Sequence, residues 1–387
     1  MQSTARRLWM KRFMWLAATP PIHALTSTLA ASASASASPL NTPSYPAVYP
    51  RQLSFPRDFG AHPDYRTEWW YMTGWLGQGA QAIGFQVTFF RSRTLHPEDN
   101  PSRFAPRQLM FAHAALALSA EGKLRHAEVA GRAGPAGATY DIADTGLQLA
   151  GWHLHRTEED HYKLAIPTND FKLSLEAIPP KKPVLRGDGG YSLKGPSPEL
   201  ASYYYSRPQL KVSAQIELKS LKGVVSSKVR STEQRLNLTG SAWFDHEWSS
   251  SLLMTGAVGW DWIGINLLDG SSLMAFRIRD AADKTLFSEW DWRDAQGNIF
   301  EKHLDVSWES VGHWRSPRSL VTYPESFKLR VVGRDWVLQP LMADQEVDAR
   351  ASTGGFYYEG AVELKENGKI LGRGYLELTG YGAPLAL

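Results

Sequence analysis

The sequence predicts an all-β protein built as two antiparallel β-barrels in tandem. Three observations predict it. Short runs in which apolar and polar residues alternate recur along most of the 387 positions, the mark of half-buried strands. No stretch of helical period persists beyond about ten residues, which leaves strands as the building unit. The second half also repeats the plan of the first: setting Trp70 against Trp262 lays the turn Gly77-Gln78 over Asp269-Gly270. Two closed sheets suit this length and remove the open edges that long antiparallel sheets present.

Composition narrows the function classes. The chain is 43% hydrophobic and 21% charged, with 15 tryptophans, a balance that excludes disorder. Cysteine is absent, which excludes disulfides, thiolate metal sites and cysteine nucleophiles. Lys and Arg number 42 against 39 Asp and Glu, but four of the basic residues lie in the first twelve positions. The remainder is nearly neutral, so it has no electrostatic footprint for nucleic acid.

The elements follow in order. Residues 1–37 read as an export signal: Arg6, Arg7, Lys11 and Arg12, a modest apolar run from Phe13, then the small-residue repeat from Ala31 to Ala37. The run Ala5-Arg6-Arg7-Leu8-Trp9-Met10-Lys11 looks like a twin-arginine signal, which implies a periplasmic or secreted protein. Residues 38–57, rich in Pro and Ser, read as a linker. The first barrel is expected over 58–239. Its opening hairpin pairs Asp64–Leu76 with the alternating run around Ile83, Phe85, Val87 and Phe89, across the turn Gly77-Gln-Gly79. Further strands are expected at 110–118, 146–154, 162–166 and 171–177. The loop 179–198 is too long and irregular to be core, and Tyr203, Tyr204 and Tyr205 beyond it cluster near Arg207. The second barrel is expected over 240–387, with a hairpin across Asp269-Gly270 and strands at 304–310, 327–332, 355–364 and 374–379.

The densest chemistry lies between Trp243 and Trp262. Asp245, Glu247, Asp261 and His246 stand there among Trp243, Trp248, Trp260 and Trp262. Buried charges are costly unless paired, so such a mixture builds either a site with shifted pKa values or a structural ion pair. Glu68 beside Trp69 and Trp70 would have a raised pKa if buried. His113 interrupts an apolar strand and reads as a hydrogen-bonded core histidine. His153 and His155 lack partners at ligand spacing and read as a surface pair. No Gly-x-Ser-x-Gly elbow and no phosphate-binding glycine loop occurs.

Seven motifs in order resemble one family. They are Glu68-Trp-Trp-Tyr-x-Thr-Gly74, Thr88-Phe-Phe-Arg91, Tyr204-Tyr-Ser-Arg-Pro208, Phe244-Asp-His-Glu-Trp-Ser249, Gly259-Trp-Asp-Trp262, Tyr357-Tyr-Glu-Gly360 and Gly374-Tyr-Leu-Glu-Leu-Thr-Gly-Tyr381. Together they resemble the AttH-like family, exported bacterial proteins related to carotenoid 1,2-hydratase. The resemblance implies two lipocalin-like barrels and, in the hydratase branch, cofactor-free addition of water to an acyclic carotenoid. It puts His246 and Trp248 on that branch's Asp-His-x-Trp positions and its further acid on Asp261; the aromatic two residues before that acid is Gly259 here.

Three functions are carried forward. The first is an exported carrier binding an apolar isoprenoid or lipid ligand, with Glu68, Trp69, Trp70, Tyr71, Tyr204, Trp260 and Trp262 lining its site. The second is an acid-catalysed hydratase or hydrolase that uses Asp245 or Asp261 as acid, His246 to orient and Trp248 to steady a cation. The third is an accessory protein of cell-surface or transporter assembly, associated peripherally with a membrane. None of them calls for a cofactor or a metal.

Overall fold

A computed structural model of the chain describes residues 44–384, apart from 98, 103, 135–136, 220–233, 252, 305 and 332. The expected signal 1–37 lies outside the described residues. Within them the chain is all-β and forms two antiparallel sheets, of 13 and 10 strands.

The first sheet contains β1 (Thr67–Leu76), β2 (Ile83–Arg93), β3 (Gln108–Leu118), β4 (Lys123–Arg132), β5 (Thr139–Tyr140), β6 (Gly146–Leu149), β7 (Trp152–Arg156), β8 (Tyr162–Pro167), β9 (Phe171–Ile178), β10 (Val184–Leu185), β11 (Tyr191–Leu193), β12 (Ala201–Leu218) and β13 (Gln234–Ser249). Its order is β4-β3-β2-β1-β13-β12-β9-β8-β7-β6-β5, with β10 and β11 on β12. Residues 132–134 and 137–138 join the two ends through short backbone bonds, Ala138 N–H to Arg132 O at 3.0 Å among them. The sheet therefore curls around one core, where Ala112 and Leu116 of β3 share a cluster with Leu147 and Leu164.

The second sheet contains β14 (Ala257–Leu267), β15 (Ser272–Asp280), β16 (Thr285–Arg293), β17 (Ile299–His303), β18 (Ser307–Arg315), β19 (Thr322–Val331), β20 (Arg334–Pro340), β21 (Glu346–Ala349), β22 (Gly355–Glu366) and β23 (Lys369–Leu378). Its order is β17-β16-β15-β14-β23-β22-β20-β19-β18, with β21 on β22.

Several boundaries differ from expectation. The expected start of the second barrel at 240 falls inside β13, which is hydrogen-bonded to β1 and β12; the second sheet begins with β14. The single strand expected over 146–154 is two, because Ala150 and Gly151 have φ of 51° and 84° and turn the chain. The segment 179–198 supplies β10, β11 and the fully buried Arg186 instead of lying outside the core.

The internal repeat is topological. In each sheet the last strand returns to pair with the first, so β2-β1-β13-β12 matches β15-β14-β23-β22. In the first sheet Glu68 stands opposite Arg91, and in the second Asp261 stands opposite Arg277. The alignment of Trp70 with Trp262 is thus one residue out. Trp70 lies in the first interior and Trp262 between the sheets, since a slip of one residue changes the face.

Both interiors are filled with side chains: Trp70, Trp248 and Tyr205 in the first, Trp290, Trp336 and Tyr323 in the second. The outer faces of β1, β12 and β13 pack against β14, β15, β22 and β23 through Tyr71, Trp75, Tyr204, Trp243, Trp262, Phe276 and Tyr375. This contact is called the seam below. Glycines permit the approach: a Cβ on Gly84 would lie 2.5 Å from the Ala361 methyl and 2.7 Å from the Tyr375 hydroxyl.

Candidate functional site

Alternation along β1 and β13 sorts the expected site residues onto two faces. Glu68, Trp70, His246 and Trp248 point into the first interior, whereas Tyr71, Trp243 and Asp245 point into the seam. Asp245 and His246 are neighbours in sequence and so cannot serve one centre from a regular strand.

The interior centre is organised by Glu68, which is fully buried. Its Oε1 lies 2.8 Å from His62 Nδ1 and 2.8 Å from His246 Nε2. Its Oε2 accepts from Arg91 Nε at 2.9 Å and from the His62 backbone N–H at 2.9 Å. Burial alone would push this carboxyl up; the bonds from His246 and His62 and the Arg91 charge outweigh it and hold it well below the usual range. The raised pKa expected for a Glu among indoles is corrected by these three partners. His62 Nε2 meets Asp58 at 3.0 Å, and His246 Nδ1 meets the Tyr205 hydroxyl at 3.2 Å. Trp248 stacks on His62 at 3.7 Å between centroids, and Trp70 on His246 at 4.7 Å. Burial drives His246 down to about 4, against the pull of Glu68, so it is neutral at pH 7.

The seam holds different chemistry. Asp245 accepts from Tyr204 Oη at 2.8 Å, from Trp243 Nε1 at 2.8 Å and from Ser206. Burial lifts it to about 6, although the Arg186 charge opposes the rise. Opposite, Glu359 of β22 and Glu377 of β23 are direct cross-strand partners. Glu359 is buried and accepts from Tyr71 Oη at 2.7 Å; Glu377 is half-buried and accepts from Trp260 Nε1 at 3.0 Å. Burial, then the neighbouring Glu377 charge, raises Glu359 well above the ordinary range. Glu377 rises to about 7, through burial first, then Glu247 and Asp245, with the Trp260 bond opposing. Two carboxyls on facing strand positions, with no cationic partner among the described residues, resist ionising together. Trp69, Trp260, Leu253, Met254 and Phe287, all partly buried, form the aromatic and apolar margin where the seam reaches solvent.

Asp261 joins neither centre. It points into the second interior, where Arg277 Nε at 2.6 Å and Arg279 Nε at 3.2 Å neutralise it and Tyr381 donates at 3.3 Å. The four residues expected to act together therefore occupy three places: Asp245 in the seam, His246 and Trp248 in the first interior, Asp261 in the second. Of the expected lining residues, Glu68 and Trp70 belong to the interior, while Tyr71, Tyr204, Trp262 and the margin residues Trp69 and Trp260 belong to the seam. His113 is buried and bonds Tyr357 Oη at 2.6 Å and Ser352 Oγ at 2.7 Å, as a core histidine would; His153 and His155 are exposed.

Sequence reasoning missed His62, Glu359 and Glu377. Both glutamates stand inside quoted motifs, and a signal for them existed: Glu377 is an acid between Leu376 and Leu378, and Glu359 follows Tyr357 and Tyr358 on a strand. His62 precedes β1 in a loop and no local pattern marks it.

Comparison with known proteins agrees with this architecture. The AttH-like family model matches residues 46–381. A solved structure from Nitrosomonas europaea assigned to AttH is 42% identical, with a TM-score of 0.77, covering 87% of this chain and 99% of that one. Kievitone hydratase from Nectria haematococca shares the fold at 15% identity and a TM-score of 0.60, covering 87% of this chain and 94% of that one. A search of curated proteins finds no match. The chain belongs to the AttH-like family.

Proposed function

We propose that this protein is a cofactor-independent hydro-lyase whose acid is the Glu359–Glu377 pair of the seam. The observation that carries the reading is the pair itself: two cross-strand carboxyls without a cationic partner among the described residues, bordered by Trp260, Trp262 and Tyr71. At neutral pH such a pair holds at least one proton in surroundings that exclude most water. Glu377, reachable from the margin, donates its O–H proton to one carbon of an alkene, whose π electrons form the new C–H bond. The adjacent carbon becomes a cation that the indole faces of Trp260 and Trp262 stabilise. Water adds to that carbon, and its surplus proton returns to the Glu377 carboxylate, so the acid is regenerated. The reverse sequence eliminates water. A relative of the same fold is named a hydratase, which supports the reaction class.

The substrate class that suits the margin is an apolar isoprenoid or lipid. Export to the periplasm or beyond, and peripheral contact with a membrane that supplies such a substrate, complete the reading. The test is incubation of the purified protein with acyclic isoprenoid alkenes in isotopically labelled water. Incorporation by the wild type and its loss in Glu377→Gln support the proposal. A lipid recovered intact without label, or equal labelling by Glu377→Gln, rejects it and leaves a carrier.

A further inference from the structure

We propose that His62, Glu68 and His246 form a binding site for a divalent transition-metal ion of the zinc class. The donor atoms already converge. His62 Nδ1 and His246 Nε2 both meet Glu68 Oε1 at 2.8 Å, and one donor atom from each residue lies within 4.8 Å of the other two. Two imidazoles and a carboxylate are the ligand set of many zinc and ferrous sites. Around an ion with bonds of about 2.0–2.1 Å the donors stand roughly 3.3–3.5 Å apart, so loading spreads them by about half an ångström.

The second layer makes the cluster more than a coincidence of three residues. Each ligand is aimed by a partner on its far side: His62 by Asp58 (3.0 Å), His246 by the Tyr205 hydroxyl (3.2 Å) and Glu68 by Arg91 (2.9 Å). Partners in that position fix tautomer and ring direction at metal centres. The stacked rings of Trp248 and Trp70 hold the two imidazoles in plane. Both indole N–H groups are buried and find no acceptor among the described residues.

Both nitrogens of His62 lie against carboxylate oxygens, Nδ1 against Glu68 and Nε2 against Asp58. On loading, the ion takes the place of a proton on His62 Nδ1, which is released to solvent, and of the proton on His246 Nε2. The latter moves to His246 Nδ1, and the Tyr205 hydroxyl changes from donor to acceptor, which a phenol can do. Arg91 remains on Oε2 and offsets part of the carboxylate charge. The ion would pin the loop carrying His62 to β1 and β13, on the face opposite the seam. Its presence or absence is thus a separate question from the chemistry of Glu359 and Glu377.

The test uses the full purified chain, stripped with a chelator, exposed to zinc and desalted. About one equivalent of zinc is retained and the melting temperature rises. Retention falls to near zero in His62→Ala and persists in Glu377→Gln and in the His153→Ala/His155→Ala double variant. Cobalt substituted into the wild type gives the visible absorption of a four-coordinate nitrogen and oxygen site, which decides the matter even if His62→Ala does not fold. Retention below about a tenth of an equivalent by the wild type, unchanged retention in His62→Ala, or loss in the His153/His155 variant would overturn the proposal.

Discussion

The carboxylates Glu68 and Asp261 occupy matching cross-strand positions in the two sheets, each opposite an arginine, yet their surroundings give them different work. Asp261 gains a second guanidinium from Arg279 and a phenol from Tyr381. Two guanidiniums face its charge, although burial, the larger influence, still raises its pKa. Glu68 gains two imidazoles, groups that can hydrogen-bond a carboxylate or ligate a metal. The seam pair Glu359 and Glu377 completes the series with no cationic partner among the described residues, so burial raises both carboxyls. A buried carboxyl acts as a strut, a ligand or an acid according to which partner neutralises it.

Perturbing each centre separates these roles, and the largest effect is expected in the seam. Glu377→Gln should lower labelled-water incorporation by about 10²- to 10⁴-fold, the usual contribution of a positioned acid, with the melting temperature held or raised. A variant that retains activity would move the acid elsewhere. Arg277→Met should instead cost stability, about 3–5 kcal/mol in denaturant unfolding, because it strips a buried pair of one partner. A loss of less than about 1 kcal/mol would mean that Arg279 alone suffices.

Acid and alkali should act oppositely on the two kinds of carboxyl. Glu377, raised to about 7, contributes stability that is fully present below its unfolded value and lost as pH rises through 7. Glu68, held low, contributes stability present above its unfolded value and lost as pH falls through its lowered one. Melting curves of Glu377→Gln should therefore decline less steeply than the wild type's between pH 5 and 8, with Asp245 and Glu359 still contributing, and should keep the acid limb. The smallest effect is expected for Tyr375→Phe. The Tyr375 hydroxyl is buried without a partner, so its removal should change stability by less than about 1 kcal/mol. A larger loss would reveal a bond made in solution.

Much of this was legible in the chain. Period-2 runs and the Asp269-Gly270 turn marked the strands, and the opposition of Asp261 to Trp260 and Trp262 follows from alternation. The same rule, applied to Asp245 and His246, already separates them. Pairing across long separations was not legible. Nothing local says that β13 lies beside β1, which brings His246 to Glu68 across 178 positions. Nor does local pattern show that β22 and β23 align Glu359 with Glu377, where burial turns two ordinary acids into neighbouring carboxyls of raised pKa.

The central claim is that this pair keeps a proton at neutral pH, and infrared titration of the carboxyl stretch tests it most directly. The wild type should show a protonated-carboxyl band at pH 6 that declines near pH 7 and is altered or lost in Glu377→Gln. A spectrum with no protonated carboxyl above pH 5, or one that Glu377→Gln leaves unchanged, would contradict it.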